Sequence, residues 1–170
     1  MRIPLIMRLP EGIYGGMKVQ ELCTNIDVAP TILDLAGAKI PEYMQGESMM
    51  QLLKQGKKKS WRKSFLFEYY VDDAYPYAGP DMLAVRTDSF KFVNSFLDND
   101  IDELYDLKND PGEMNNLISD PSYESVRKRL GEELENLKNQ YRYTADRDWW
   151  LRKETADSVA MDHGKARGEK

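Results

Sequence analysis

Met82-Leu83-Ala84-Val85-Arg86-Thr87-Asp88-Ser89-Phe90-Lys91-Phe92-Val93-Asn94-Ser95-Phe96 reads as two strands joined by a two-residue polar turn. Strands joined by so short a connection run antiparallel. Val, Thr and Phe suit a pleated, half-buried surface. The alternation of Phe90 and Phe92 with Lys91 and Asn94 is broken by Val93, and Asp88-Ser89 has no glycine, so the turn type stays open.

Working outward, Ser64 to Val71 (Ser-Phe-Leu-Phe-Glu-Tyr-Tyr-Val) is a third, aromatic-rich strand, followed by a loop from Asp72 to Pro80 with two prolines and two tyrosines. Glu103 to Leu107 gives a short fourth strand, and Asp110-Pro111-Gly112-Glu113 is a strong turn signal. Asp120-Pro121 then opens a helix expected over 121–142, with Val126, Leu130, Leu134, Leu137 and Tyr141 on one stripe. On the N-terminal side a helix is expected over 27–36. Asn25 or Asp27 can cap it, Pro30 is tolerated in its first turn, and Gly37 can end it. Ile26, Ala29, Ile32, Leu33 and Ala36 recur at helical spacing, as a core-facing stripe does. Ser48 can cap a short helix through Leu53 that ends near Gly56. Residues 3–8 are nearly continuously apolar, the pattern of a strand buried on both faces. Such a strand at the very start suggests that the chain begins inside a larger fold. From Asp146 periodicity fades, and 146–170 reads as a disordered tail. The sum is α+β: three to four antiparallel strands packed by a long C-terminal helix.

The net charge of −5 argues against a phosphate-backbone partner, and no stretch approaches the roughly 18 apolar residues of a membrane span. Lys57-Lys58-Lys59, with Arg62 and Lys63, is a solvated loop or an anion-attracting patch. The single cysteine, Cys23, allows no internal disulfide and is read as a small hydrophobe.

The groups that usually converge in a catalytic centre are scarce. The one histidine, His163, lies in the tail, so no His–Cys or His–Ser pair forms within the folded region, and no zinc-ligand spacing exists. Asp72-Asp73 and Asp98-Asn99-Asp100-Ile101-Asp102 offer oxygen ligands for calcium or are solvated turns; the second lacks the closing Glu of a calcium loop. Glu68 and Arg86 lie on neighbouring strands, as a substrate-facing pair or a cross-strand ion pair.

Several segments, in order, resemble the C-terminal third of bacterial sulfatases of the alkaline-phosphatase-like superfamily. They are Met1-Arg2-Ile3-Pro4-Leu5-Ile6, Asn25-Ile26-Asp27-Val28-Ala29-Pro30-Thr31-Ile32-Leu33-Asp34-Leu35-Ala36-Gly37, Met44-Gln45-Gly46 with Ser48, Trp61 to Tyr70, Ala84-Val85-Arg86-Thr87 with Lys91, and Glu103 to Leu117. The N-acetylglucosamine-6-sulfatase or mucin-desulfating type is most similar. The resemblance implies that 1–60 is the tail end of the α/β domain, with a strand and a helix left from it, and that 61–145 is the C-terminal subdomain.

The resemblance also implies a calcium ion and a formylglycine nucleophile for the full-length family, made from Cys or Ser in Cys/Ser-x-Pro-x-Arg. Cys23-Thr24-Asn25-Ile26-Asp27 does not match, so no cofactor and no catalytic residue is carried over to this chain. The expected partners are a missing N-terminal sulfatase domain and, in the intact enzyme, a sulfated sugar, in the periplasm or outside the cell. The small sheet would wall one side of the pocket, with Glu68, Tyr69, Tyr75, Tyr77 and Arg86 on the substrate side; packing within the subdomain is the other reading of the tyrosine loop. The competing functions are a non-catalytic binding or scaffold module that reuses the subdomain, and a phosphodiesterase or phosphonate hydrolase of the same superfamily.

Overall fold

The computed structural model describes residues 3–9, 15–70, 81–95 and 101–144. The chain divides into two compact units, Met1–Leu137 and Lys138–Lys170. The loop 72–80, Asp98 to Asp100 and the tail from 146 onward, with Trp149 and Trp150, lie outside the described residues.

The hairpin forms as its sequence reads. β2 (Met82–Thr87) and β3 (Phe90–Ser95) run antiparallel, with Val85 opposite Phe92 and Arg86 opposite Lys91. Thr87 replaces the missing glycine of the turn: its Oγ1 accepts hydrogen bonds from the Ser89 N–H at 3.2 Å and the Phe90 N–H at 2.9 Å. β1 (Ser64–Tyr69) pairs outside β2 and β4 (Glu103–Asp106) outside β3, giving an antiparallel sheet in the order β1-β2-β3-β4.

Side chains alternate between the two faces of a sheet, and directly paired residues share a face. The register therefore puts Ser64, Leu66, Glu68, Leu83, Val85, Phe90, Phe92 and Leu104 on one face, and Phe65, Phe67, Tyr69, Ala84, Arg86, Lys91, Val93 and Tyr105 on the other. The first face meets α3 (Glu124–Gln140), which follows a single 3-10 turn at Pro121–Tyr123. Leu130, Leu134 and Leu137, spaced by four and three residues, are its buried side chains. Ser64 Oγ donates to the Glu133 carboxylate, and the Phe90 ring meets Tyr123 edge-on at 6.4 Å. Val93 broke the alternation because it and Ala84 opposite it are buried on the second face, so the strand centre is covered on both sides.

The N-terminal part is held by a reciprocal cap. Thr24 is the cap residue of a 3-10 turn at Asn25–Asp27 that leads into α1 (Val28–Leu35). Asp27, one of the two expected caps, is the N-cap position of α1, but its side chain bonds no N–H of that helix; it reaches back to the Thr24 N–H at 2.8 Å and closes the box on the 3-10 turn. Gly37, at φ +67°, ends this helix, and Gly56, at φ +75°, ends α2 (Met50–Gln55).

Met49, Leu52 and Trp61 make a small core, on which Met7, Val19, Cys23, Val28 and Leu53 pack. Burial, with the Asp27 charge second, pushes the Cys23 thiol up to about 11. The thiolate is the reactive form, so Cys23 is protonated at neutral pH. Alkylation by iodoacetamide in the native state is expected to be at least tenfold slower than in urea-unfolded chain; equal rates would contradict this packing.

Two expectations are corrected. Residues 3–9 form no strand, and Ile3, Leu5 and Ile6 are exposed, Ile6 by 91%. A strand exists through a neighbour that accepts its N–H groups, and residues 3–9 have no such neighbour among the described residues. The stripe of α1 also faces mostly outward: Ile26, Ala29, Ile32 and Ala36 are exposed and Leu33 is half-buried, whereas Asp27, Pro30 and Thr31 are buried. The polar contacts that win over it are described next.

Candidate functional site

Asp27 is fully buried and gathers three segments of chain. Its carboxylate accepts from the Thr24 N–H, from the Glu47 N–H at 2.9 Å, and from both ends of the Arg62 guanidinium, Nη2 at 2.6 Å. Burial works to raise its pKa, but the hydrogen bonds from Arg62, Glu47 and Thr24 outweigh it and hold the carboxyl below its ordinary range. Thr31 completes the joint: its hydroxyl donates to the Asp27 carbonyl at 2.6 Å and accepts from the Met49 N–H at 2.9 Å. Gly46 is where the returning chain crosses α1's start, and a Cβ there would lie 2.0 Å from the Ile26 carbonyl oxygen. The Asp-x-x-Pro-Thr and Met-Gln-Gly segments are therefore joints of the fold, and they aim Arg62, two residues before β1, and hence the sheet.

The second polar grouping lies on the sheet face turned away from α3. Lys91 Nζ bonds the Glu113 carboxylate, and Arg86 Nη1 stands 3.8 Å from the same group. Glu113 reaches them from the Asp110-Pro111-Gly112-Glu113 turn with φ +54°, a conformation that L residues adopt sparingly. Two hydrogen bonds to Asp110 Oδ2, from the Met114 N–H at 2.7 Å and the Asn115 N–H at 2.8 Å, brace that turn. Lys91 Nζ also sits 4.8 Å from the centre of the Tyr105 ring. Burial, then the nearby carboxylates of Glu103, Glu113 and Asp110, keep the Tyr105 hydroxyl protonated above its usual range. This grouping offers two cations, the carboxylate between them and a phenol held in its protonated form.

The sequence-derived site residues separate in the structure. Glu68 pairs with Leu83 and Arg86 with Phe65, an odd step along the strands, so Glu68 and Arg86 point to opposite faces. The expected Glu68–Arg86 pair is overturned: the Glu68 carboxylate takes the Tyr70 hydroxyl at 3.2 Å, and Arg86 faces Glu113. Tyr69 shares Arg86's face, four residues along β1 from Phe65, hence about 13 Å away at the strand rise. Tyr75 and Tyr77 lie outside the described residues. Glu113 was missed as the neighbour of Arg86 and Lys91, and Tyr105 as the neighbour of Lys91. The two-residue turn put Lys91 opposite Arg86 in the sequence itself, whereas Glu113 arrives through a turn whose positive φ no residue type announced. Of the basic run, Lys58 bonds Glu47 at 2.5 Å and stands over the Trp61 ring.

Residues 1–140 match the family model described as N-sulphoglucosamine sulphohydrolase, C-terminal. The chain belongs to this sulfatase family. An N-acetylglucosamine-6-O-sulfatase of Bacteroides thetaiotaomicron is 37% identical over 145 residues, covering 83% of this chain and 25% of the relative. A delta 4,5-hexuronate-2-O-sulfatase of the same organism is 33% identical over 147 residues, covering 82% and 30%. A solved structure in complex with its substrate D-glucosamine-2-N,6-O-disulfate superposes with a TM-score of 0.80 at 35% identity, covering 87% of this chain and 30% of that one. The chain thus spans between a quarter and a third of the length of these sulfatases.

Of the carboxylates that could serve a cation, Asp72, Asp73, Asp98 and Asp100 lie outside the described residues. Among the described residues no three His, Cys, Asp or Glu side chains gather as a cation would need. Asp102, at the end of the Asp98–Asp102 segment read as a solvated turn or a calcium loop, accepts from Asn94 Nδ2 and the Ser95 N–H, both at 3.1 Å. Ser119-Asp120-Pro121-Ser122-Tyr123 comes nearest to Cys/Ser-x-Pro-x-Arg but carries Tyr for Arg, and its Asp120 caps the turn before α3.

Proposed function

We propose that this chain is the C-terminal part of a sulfatase acting on sulfated glycans, and that alone it hydrolyses no sulfate ester. The observation that carries the reading is the combination of family membership over 1–140 with a sequence that has no Cys/Ser-x-Pro-x-Arg motif and, among the described residues, no gathering of side chains that could hold a metal ion. Hydrolysis needs the nucleophile and the cation that these would supply. In this reading 1–60 ends the α/β domain and 61–145 is the C-terminal subdomain. The nucleophile, a formylglycine, and the calcium ligands come from the segment that aligns ahead of this chain, in the periplasm or outside the cell. The glycan assignment rests on the relatives, which are named for desulfating aminosugars and hexuronates.

The subdomain's part is to wall the pocket. Tyr69 and Arg86, on the face away from α3, and Tyr75 and Tyr77 of the loop after β1 are assigned to the substrate side. Glu68 points to the opposite face from Tyr69 and Arg86, and is assigned to the substrate side only through its exposed place near the end of β1. An aryl sulfate incubated with this chain, with and without added calcium, is expected to be released at the buffer rate. Metal-dependent release by the chain alone would overturn the reading.

A further inference from the structure

Six of the chain's 24 Lys and Arg residues fall between 48 and 67, a stretch with no Asp or Glu, and without them the net charge would be −11 rather than −5. Two of the six are engaged within the fold: Lys58 bonds Glu47, and Arg62 bonds the buried Asp27. Lys54, Lys57, Lys59 and Lys63 are exposed, and among the described residues none of them pairs with a carboxylate. Their backbone is fixed from beneath. The Gly56 N–H closes α2 on the Leu52 carbonyl at 2.7 Å, and the Trp61 N–H turns back to the Lys58 carbonyl at 3.0 Å. The Trp61 ring is buried, with Nε1 donating to the Leu22 carbonyl at 2.9 Å. Along this folded-back segment the Cα atoms of successive open lysines are at most about 15 Å apart. Gln51 and Gln55, exposed on the same short helix as Lys54 and bonded to each other at 3.3 Å, add amide donors and acceptors.

Resting on the function proposed above, we propose that Lys54, Lys57, Lys59 and Lys63 form an exosite for a strand of sulfated glycan, apart from the substrate pocket. Lys63 precedes β1 and Tyr69 ends it, so the exosite lies roughly 20 Å along the strand from Tyr69 on the substrate side. A single sulfated sugar does not bridge that distance, so the exosite holds the polymer and not the unit that loses its sulfate. The groups fit that ligand: ammonium groups take sulfates, and the glutamine amides take sugar hydroxyls. The −11 on the remainder of the chain confines a polyanion to this strip. A thin glycan strand can follow the strip, whereas duplex nucleic acid would bring its second strand against acidic surface.

The test is heparin binding by the full chain. Wild type is expected to bind, and raising salt from about 50 to about 200 mM should weaken binding on the order of fiftyfold, as the counterions displaced by four lysines are released. Glucosamine 6-sulfate at equal sulfate concentration should not displace heparin. Replacing all four lysines with glutamine is expected to weaken binding at least tenfold at the lower salt. The melting temperature should stay within about 2 °C, since all four positions are open. Lys108→Gln with Lys128→Gln, two exposed cations elsewhere, should leave the affinity within about twofold. No heparin binding by wild type, displacement by the monosaccharide, or equal losses in the two variants would each overturn the proposal. Duplex DNA bound as tightly as heparin would overturn it in favour of a nucleic-acid site. If the fourfold variant melts well below wild type, the pair Lys57→Gln, Lys59→Gln is read instead. A loss of about threefold or more then supports the exosite, and a smaller one overturns it. Release of an aryl sulfate by the chain alone, which would sink the underlying function, is read in a separate assay and leaves the heparin result untouched.

Discussion

Replacing Arg62 with alanine is expected to lower the unfolding free energy at neutral pH by about 3–5 kcal/mol, the range for removing one partner of a buried ion pair. The Asp27 carboxylate is fully shielded from water and the Arg62 side chain is 10% exposed, so neither charge has solvent to fall back on. Arg62 also donates to Thr24 Oγ1 at 3.2 Å and lies over the Trp61 ring at 4.8 Å, so its loss loosens the small core as well. The pH dependence has a definite sign. Asp27's pKa is held below 3.8 in the folded chain, so the stabilisation is fully present above the unfolded value and is lost as pH falls from 3.8 through the folded one. Urea unfolding followed by far-UV circular dichroism should therefore separate wild type and Arg62→Ala widely at neutral pH, and the gap should narrow well below 3.8. The double variant Asp27→Ala, Arg62→Ala should lose less than the two single losses added together, because no unpaired charge stays buried. A gap that stays constant across this pH range would show that the guanidinium acts by packing alone.

The same joint explains why parts of the chain were legible in the sequence and others were not. The four strands, the closing helix and both helix-ending glycines were readable, because period-two runs, Asp-Pro and Gly act within a few residues. The orientation of α1 was not. Its spacing announced an apolar stripe, but the face it buries is decided by contacts made 20 and 35 residues away, at Glu47 and Arg62. Residues 3–9 show the same limit: an all-apolar run describes what a strand needs around it and cannot supply it. At the candidate site, the Glu68–Arg86 pairing failed on register. Two charged residues on adjacent strands meet only when their positions match in parity, and here the aromatic strand aligns Phe65, not Glu68, with Arg86. Lys91 was readable from the turn length, whereas Glu113 depended on a backbone conformation that Glu rarely takes.

Leu104→Ala is expected to cost about 2–5 kcal/mol, the range for emptying a fully buried leucine site. Leu104 is completely buried on the α3 face of β4, directly opposite Phe92. β4 has a strand on one side alone, and an open edge leaves N–H and C=O groups without partners. The segment after the Asp110 turn closes it: Asn116 Oδ1 accepts the Leu104 N–H at 3.0 Å, and the Leu117 N–H donates to the Leu104 carbonyl at 2.8 Å. Leu104 is thus fixed by its side chain in the core and by its backbone at the edge. Asn116→Ala should separate the two contributions. It removes the acceptor of the Leu104 and Ile118 N–H groups and leaves every buried apolar contact in place, for a loss of about 1–3 kcal/mol. Ile101→Ala, at a position 68% exposed, should stay within about 0.5 kcal/mol. Denaturant unfolding of the three variants ranks them, and amide exchange at Leu104 discriminates further. Asn116→Ala should speed it well beyond what its global stability loss predicts, since its one edge partner has gone. If exchange there follows global stability alone, the loop does not seal the edge, and the burial of Leu104 alone holds β4 in place.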